Sequence, residues 1–283
     1  MKKKILLPTD FSKNAWNALK YASKLYKNEE VDFYLLNAYI IQNYSIDNMM
    51  VAEPGEKYYE VAKTNSETGL EKLLKRIELL EIPSNHTYFT KSVYNMPLEA
   101  VKNFVEDKDI DLVVASNKGE TDAIDILIGS NSIDFMEKVR NCPVFMIPAK
   151  ALFTEPNEIV FPTSFKTHFK RKELIHLYEI ARITNAPIRI FHVGQEAELS
   201  KEQKEKKTLL EECFDGLTYS YHFSENTDVQ EGLNLFTKSR NSGMVAFINK
   251  KHALFGSIFS HPMVKELGFN AKVPVLVLHD LRN

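Results

Sequence analysis

Two tandem α/β domains, each a doubly wound parallel sheet, are expected from this chain on three observations. The opening run Ile5-Leu6-Leu7-Pro8-Thr9-Asp10-Phe11-Ser12 returns almost unchanged as Ile159-Val160-Phe161-Pro162-Thr163-Ser164-Phe165-Lys166. Each copy then alternates short apolar runs with stretches of helical periodicity, the pattern of parallel strands joined by helical crossovers. Each copy also closes on a similar strand, Cys142-Pro143-Val144-Phe145-Met146-Ile147 and Val273-Pro274-Val275-Leu276-Val277-Leu278. A repeat this long marks two domains, since solenoid periods run only about 20–50 residues. The 283 residues divide into 1–150 and 151–283, with Ala151–Pro156 as the linker, and each part is large enough to bury its own core.

In chain order, residues 4–9 are an Ile- and Leu-rich run short enough for a buried strand. Ser12 caps the helix that follows, where Ala15, Leu19, Ala22 and Leu25 recur at helical spacing. Residues 32–38 give the second strand. A polar, aromatic-containing loop with Pro54-Gly55 runs from Tyr39 to about Asn65. A helix then extends to Leu80 on Leu70, Leu73, Leu74 and Ile77. Residues 86–92 form the third strand, Pro97–Val105 the third helix and Asp111–Ser116 the fourth strand. Asn131–Val139 is the fourth helix and Val144–Ile147 the fifth strand. The second half repeats the order, with strands near 158–162, 187–193, 217–223, 244–248 and 274–278. Lys201–Lys207 reads as a solvated helix face.

Hydrophobic residues at 44% and charged residues at 26% describe an ordinary soluble chain. A net charge of −2 gives no electrostatic reason to expect nucleic acid. Lys2-Lys3-Lys4 precedes an apolar run too short for a signal-peptide core, and no run approaches membrane-spanning length. The expected location is the cytoplasm, with no membrane partner. Cys142 and Cys213 have neither metal-ligand nor redox spacing.

Ligands of open α/β sheets bind beyond the carboxyl ends of the strands, where strand order reverses. After the fourth strand comes Ser116-Asn117-Lys118-Gly119, and nine residues later Gly129-Ser130. Gly119 lets the chain turn close to an anion. Gly129 and Ser130 stand where the fourth helix begins, whose free N–H groups and positive dipole end suit phosphate. Asp10, beside Pro8 and Thr9 at the end of the first strand, is placed to accept hydrogen bonds from a ribose or an adenine. Since Ser12 takes the capping role, Asp10 is available for that purpose. Neither G-x-x-x-x-G-K-[ST] nor G-x-G-x-x-G occurs.

These residues together resemble the universal stress protein family, over nearly the whole chain. The resemblance rests on Ile5–Ser12, on the glycine motif G-x-x-G-x9-G-[ST] after the fourth strand, and on Cys142-Pro143-Val144. It implies a Rossmann-like fold of the adenine nucleotide alpha hydrolase type. It also implies binding of ATP, or of AMP or ADP, in a role of stress response or signalling. Carried over, Gly119, Gly129 and Ser130 hold phosphates, Asp10 the nucleoside and Ala38 the adenine, with Asn131 and Ser132 extending the phosphate contacts. The first glycine of the motif is Ser116 here, which makes the loop backbone less permissive. Family members commonly dimerise through the closing strand, so a tandem chain resembles such a dimer made covalent. A homodimer of tandem chains and an unknown protein partner are further expectations.

The second half has Ser164 where the first has Asp10, Lys251 for Gly119, and His261-Pro262 for Gly129-Ser130. Proline offers no N–H, so this half is expected to be a non-binding partner whose sheet pairs with the first. Its histidines form no ligand pair. His192, inside an apolar strand, is expected to be a hydrogen-bonded core residue. Asp122 and Asp125 can hold Mg²⁺ beside phosphates. Two rivals therefore stand beside the nucleotide-binding reading: a scaffold that binds no nucleotide, and a slow Mg²⁺-dependent ATPase. No catalytic residue is expected.

Overall fold

Runs that are apolar at nearly every position become strands covered on both faces, and that is the arrangement in the middle of this sheet, while its two edge strands are only partly buried. The computed structural model describes residues 2–40, 57–81, 83–117, 130–225, 228–249 and 272–279. The first half runs β1 (Lys3–Pro8), α1 (Lys13–Leu25), β2 (Val31–Tyr39), α2 (Lys57–Glu78), β3 (His86–Tyr94), α3 (Pro97–Lys108), β4 (Leu112–Ser116), α4 (Ser130–Lys138) and β5 (Val144–Ile147). The second runs β6 (Ile159–Pro162), α5 (Arg171–Thr184), β7 (Ile188–Val193), α6 (Lys201–Cys213), β8 (Tyr219–Ser224), α7 (Val229–Ser239), β9 (Met244–Asn249) and β10 (Val275–His279).

The strands form one sheet in the order β3-β2-β1-β4-β5-β10-β9-β6-β7-β8. Each half contributes the doubly wound order 3-2-1-4-5, and the halves meet where β5 and β10 pair antiparallel. Phe145 lies opposite Leu276 there, so a pseudo-twofold axis relates the two copies. Among the described residues every other strand pair is parallel. One apolar layer lies under α1, α2, α5 and α6, built on residues such as Trp16, Leu70, Leu174 and Leu210. The other lies under α3, α4 and α7, on Val101, Met136 and Leu233. Both layers include strand residues of both halves, so the hydrophobic term that stabilises one copy is shared with the other. At the junction Lys3 Nζ reaches Glu179 at 2.6 Å and Asn17 Nδ2 donates to Ala151 O at 2.7 Å.

One boundary differs from expectation. The helix placed at about Asn65 begins at Lys57, so the Tyr39–Asn65 loop is shorter than the sequence suggested. The buried residues of α2 are Ser66, Leu70, Leu73 and Ile77. Its first two turns contain no fully buried residue, so no core-facing period announced them. The rest of that loop, with Pro54 and Gly55, lies outside the described residues.

Candidate functional site

β1 sits between β2 and β4, so the crossovers from these neighbours leave in opposite directions and a crevice opens at the carboxyl ends of β1 and β4. A cavity of about 180 Å³ occupies it. Of the residues expected at the site, Pro8, Thr9, Asp10, Ala38, Ser116, Asn117 and Ser132 all line this one cavity. Ser130 and Asn131 open α4, their side chains lying outside the described residues. Gly119, Gly129, Asp122 and Asp125 lie outside them too.

The turn after β1 is built by its own side chains. Thr9 N donates to Leu36 O at 2.9 Å, which carries the β1–β2 ladder one residue further. Thr9 Oγ1 then accepts from Phe11 N at 3.0 Å, and Asp10 Oδ1 accepts from Ser12 N at 2.9 Å. Ser12 Oγ accepts from Ala15 N at 3.1 Å and caps α1. Asp10 is therefore not the cap, and it stands exposed at the cavity mouth. Phe11 has φ 64, in the left-handed region, and its ring lies on α2 at Gly69, where a Cβ would come within 2.5 Å of it. From below, Asn37 Nδ2 donates to Thr9 O at 2.6 Å.

The opposite wall is tied just as closely. Ser116 Oγ donates to Ile147 O at 2.9 Å, and Ser132 Oγ donates to Ser116 O at 2.9 Å. Ser132, expected to extend the phosphate contacts, thus spends its proton on a backbone carbonyl, and Ser116 does the same. Their structural effect is to fasten α4 to the ends of β4 and β5. Asn117 Oδ1 accepts from Ala149 N at 2.9 Å.

Sequence reasoning missed the apolar walls: Leu36, Pro97, Val101, Ala115 and Phe135 also line the cavity. The signal for them lay in the repeat. Ile5 pairs with Leu112 and Ile159 with Met244, which makes Phe247 the counterpart of Ala115. Pro8 pairs with Leu36 and Pro162 with Phe191, which sets Phe191 opposite Leu36 in the comparison. Leu233 on α7 takes the place of Val101 on α3. Phe191, Leu233 and Phe247 are all buried in the same apolar layer. The space that is open in the first half is thus taken up by larger side chains in the second.

The turn itself is shared by both halves. Phe165 has φ 56 and its N donates to Thr163 Oγ1 at 3.0 Å. His192 replaces Asn37, and its Nδ1 lies 2.8 Å from Thr163 O, a contact that requires the proton on Nδ1. His192 is the hydrogen-bonded core histidine that its apolar strand predicts. Ser164 stands in place of Asp10, so this half has no carboxylate at the turn. Lys251, His252, Gly256-Ser257 and His261-Pro262 lie outside the described residues.

Among the described residues lining the first-half cavity, Asp10 carries the only charge. No group of three metal-ligating side chains occurs among the described residues. No helix among them is long and apolar enough to cross a membrane. The cavity combines apolar walls for a flat ring, a carboxylate acceptor at the mouth and a helix N-terminus at the far side. These are the parts of a recognition site.

A profile of the Universal stress protein family matches residues 1–148. The chain is 28% identical over 162 residues to Universal stress protein MJ0577 of Methanocaldococcus jannaschii, covering 53% of this chain and 97% of that protein. Universal stress protein MJ0531 of the same organism is 26% identical over 145 residues, covering 51% of this chain and 81% of that protein. Over the full length, the crystal structure of a universal stress protein from Archaeoglobus fulgidus superposes with a TM-score of 0.72 at 17% identity, covering 97% of each chain. That last likeness establishes the fold of both halves together.

Proposed function

The chain belongs to the universal stress protein family, and we propose that its first half binds an adenine nucleotide, one per chain, in a stress-response or signalling role. The observation that carries this reading is the cavity at the reversal of strand order, lined by Asp10, Ala38, Ser116 and Ser132 together. Apolar walls from Leu36, Val101 and Ala115 suit the adenine, and Ala38, one residue before the end of β2, lies beside them. Asp10 keeps one carboxylate oxygen beyond its bond to Ser12 N, and it accepts from the ribose hydroxyls. The start of α4 faces the phosphates, where its unpaired N–H groups and dipole favour negative charge. The 1–150 domain is the binding one. The 151–283 domain, with its filled counterpart, completes the shared sheet. The site recognises its ligand without changing it, and occupancy alters how the fourth helix and the junction behind it are held.

Titration calorimetry with ATP, AMP and adenosine tests this reading. Binding in the micromolar range, saturating at one ligand per chain, is expected. Asp10→Asn should weaken ATP by about tenfold, since a hydrogen bond to a charged group contributes about 1.5–3 kcal/mol and part of it survives in the amide. An unchanged affinity in that variant would remove Asp10 from the site.

A further inference from the structure

We infer that Asn249, in the second half, is a positioning residue for the phosphate end of α4 in the first half, an assignment that rests on the nucleotide reading above. α4 has nine residues, and its last carbonyls find no partner within the helix. Phe135 O is taken by Val139 N at 3.1 Å. Met136 is 0% exposed, so water does not solvate the next carbonyl. Asn249, the last residue of β9 and itself 7% exposed, donates Nδ2 to Met136 O at 3.1 Å. A side chain of one copy thus caps a helix of the other. Its counterpart Asn117 serves its own half, accepting from Ala149 N.

Packing reinforces the grip. Ile133 and Met136 of α4 and Val139 just after it share an apolar cluster with Phe247, Val275 and Val277 of the second half. At its first turn α4 is fastened to the first half, where Ser132 Oγ donates to Ser116 O. The helix is therefore held at one end by each copy. Ser132 and Phe135 line the cavity, and the residue Asn249 grips is the one immediately after Phe135. With a rise of about 1.5 Å per residue, α4 is only about 14 Å long. A displacement at its last turn therefore reaches its first. Without the Asn249 amide a buried carbonyl is left unpaired, and the helix must move to find a donor or water. The walls assigned to the adenine, Leu36, Val101 and Ala115, stand on β2, α3 and β4 and have no such dependence.

The test is Asn249→Leu, close in size but without a donor, titrated with ATP and with adenosine. ATP affinity is expected to fall about tenfold while adenosine affinity stays at the wild-type value. Equal losses for both ligands, or no loss for either, would overturn the assignment. Asn249→Ser, too short to reach Met136 O, gives the same readout should the leucine variant fail to fold. Hydrogen exchange of the unliganded proteins reads the grip without any nucleotide. Faster exchange confined to α4 is expected in the variant, and unchanged α4 protection would overturn the assignment. Wild-type protein that binds neither ligand would defeat the nucleotide reading alone, with the exchange result still deciding the role of Asn249.

Discussion

Ala115→Phe is expected to abolish nucleotide binding, with a loss of at least a hundredfold, or about 2.7 kcal/mol, while the protein stays folded. The substitution copies into the first half the residue that the second half carries at Phe247. Ala115 lies on β4 with its side chain on the cavity wall, and a phenyl ring from that position takes up the space assigned to the base. Overpacking of a filled core costs about 1–3 kcal/mol. Here the ring enters open volume, so the melting temperature should change little. Calorimetry with ATP and a thermal melt on the same sample give both numbers. Tight binding in a folded Ala115→Phe protein would show that the nucleotide sits elsewhere.

Glu158→Leu is expected to destabilise the fold by about 2–3 kcal/mol, the scale of charge-assisted hydrogen bonds to a buried carboxylate whose arginine partners stay partly exposed. Glu158, 4% exposed just before β6, accepts from Arg240 Nε and Nη2 and from Arg189 Nε, all at 2.8 Å, and from Ser242 Oγ at 2.7 Å. Deleting the carboxylate removes the shared acceptor of two guanidinium groups and of the buried Ser242 hydroxyl, with Arg189 keeping its bond to Ser220 Oγ. Total stabilities of about 5–15 kcal/mol make such a loss easy to see in urea. The cavity lies at β1 and β4, with β5, β10 and β9 between them and β6, so ATP affinity at moderate temperature should be unaltered. Acid has the same target. Burial pushes the Glu158 pKa up, but the bonds from Arg240, Ser242 and Arg189 more than offset it and hold the group at about 2 against an ordinary 4.5. A carboxylate whose folded pKa is depressed stabilises the fold fully above its unfolded pKa. That contribution is lost as the pH falls from about 4.5 through 2. Urea midpoints for the native protein should fall across that window, and Glu158→Leu should flatten the fall. An equal slope in the variant would place the acid sensitivity in other groups.

Much of this architecture was legible because the chain repeats itself. Strands buried on both faces left unbroken apolar runs, and all ten described strands, the partly exposed edge strands β3 and β8 included, fall within a few residues of the expected spans. The ligand edge was legible too, since Asp10 just after β1 and Ser116 at the end of β4 belong to strands that the doubly wound order sets side by side. What the sequence concealed was of two physical kinds. The early turns of α2 contain no fully buried residue, so they left no core-facing period to read. The hydroxyls of Ser116 and Ser132 have two uses open to any serine at such a place. Only the positions of Ile147 O and Ser116 O show which use their protons take. The cavity walls were concealed for a further reason, because an alanine in a strand looks like any other core residue until Phe247 is set beside it. Contacts between the halves, such as Asn249 to Met136 O, join distant parts of the chain and leave no local pattern at all.

The most direct measurement is to purify the protein without added nucleotide, denature it, and identify what is released by chromatography and mass, with ATP titrated into whatever fraction is empty. One adenine nucleotide per chain, released or bound, is the predicted result. A protein that releases no nucleotide and binds neither ATP nor AMP would contradict the account and leave the chain a scaffold for another partner.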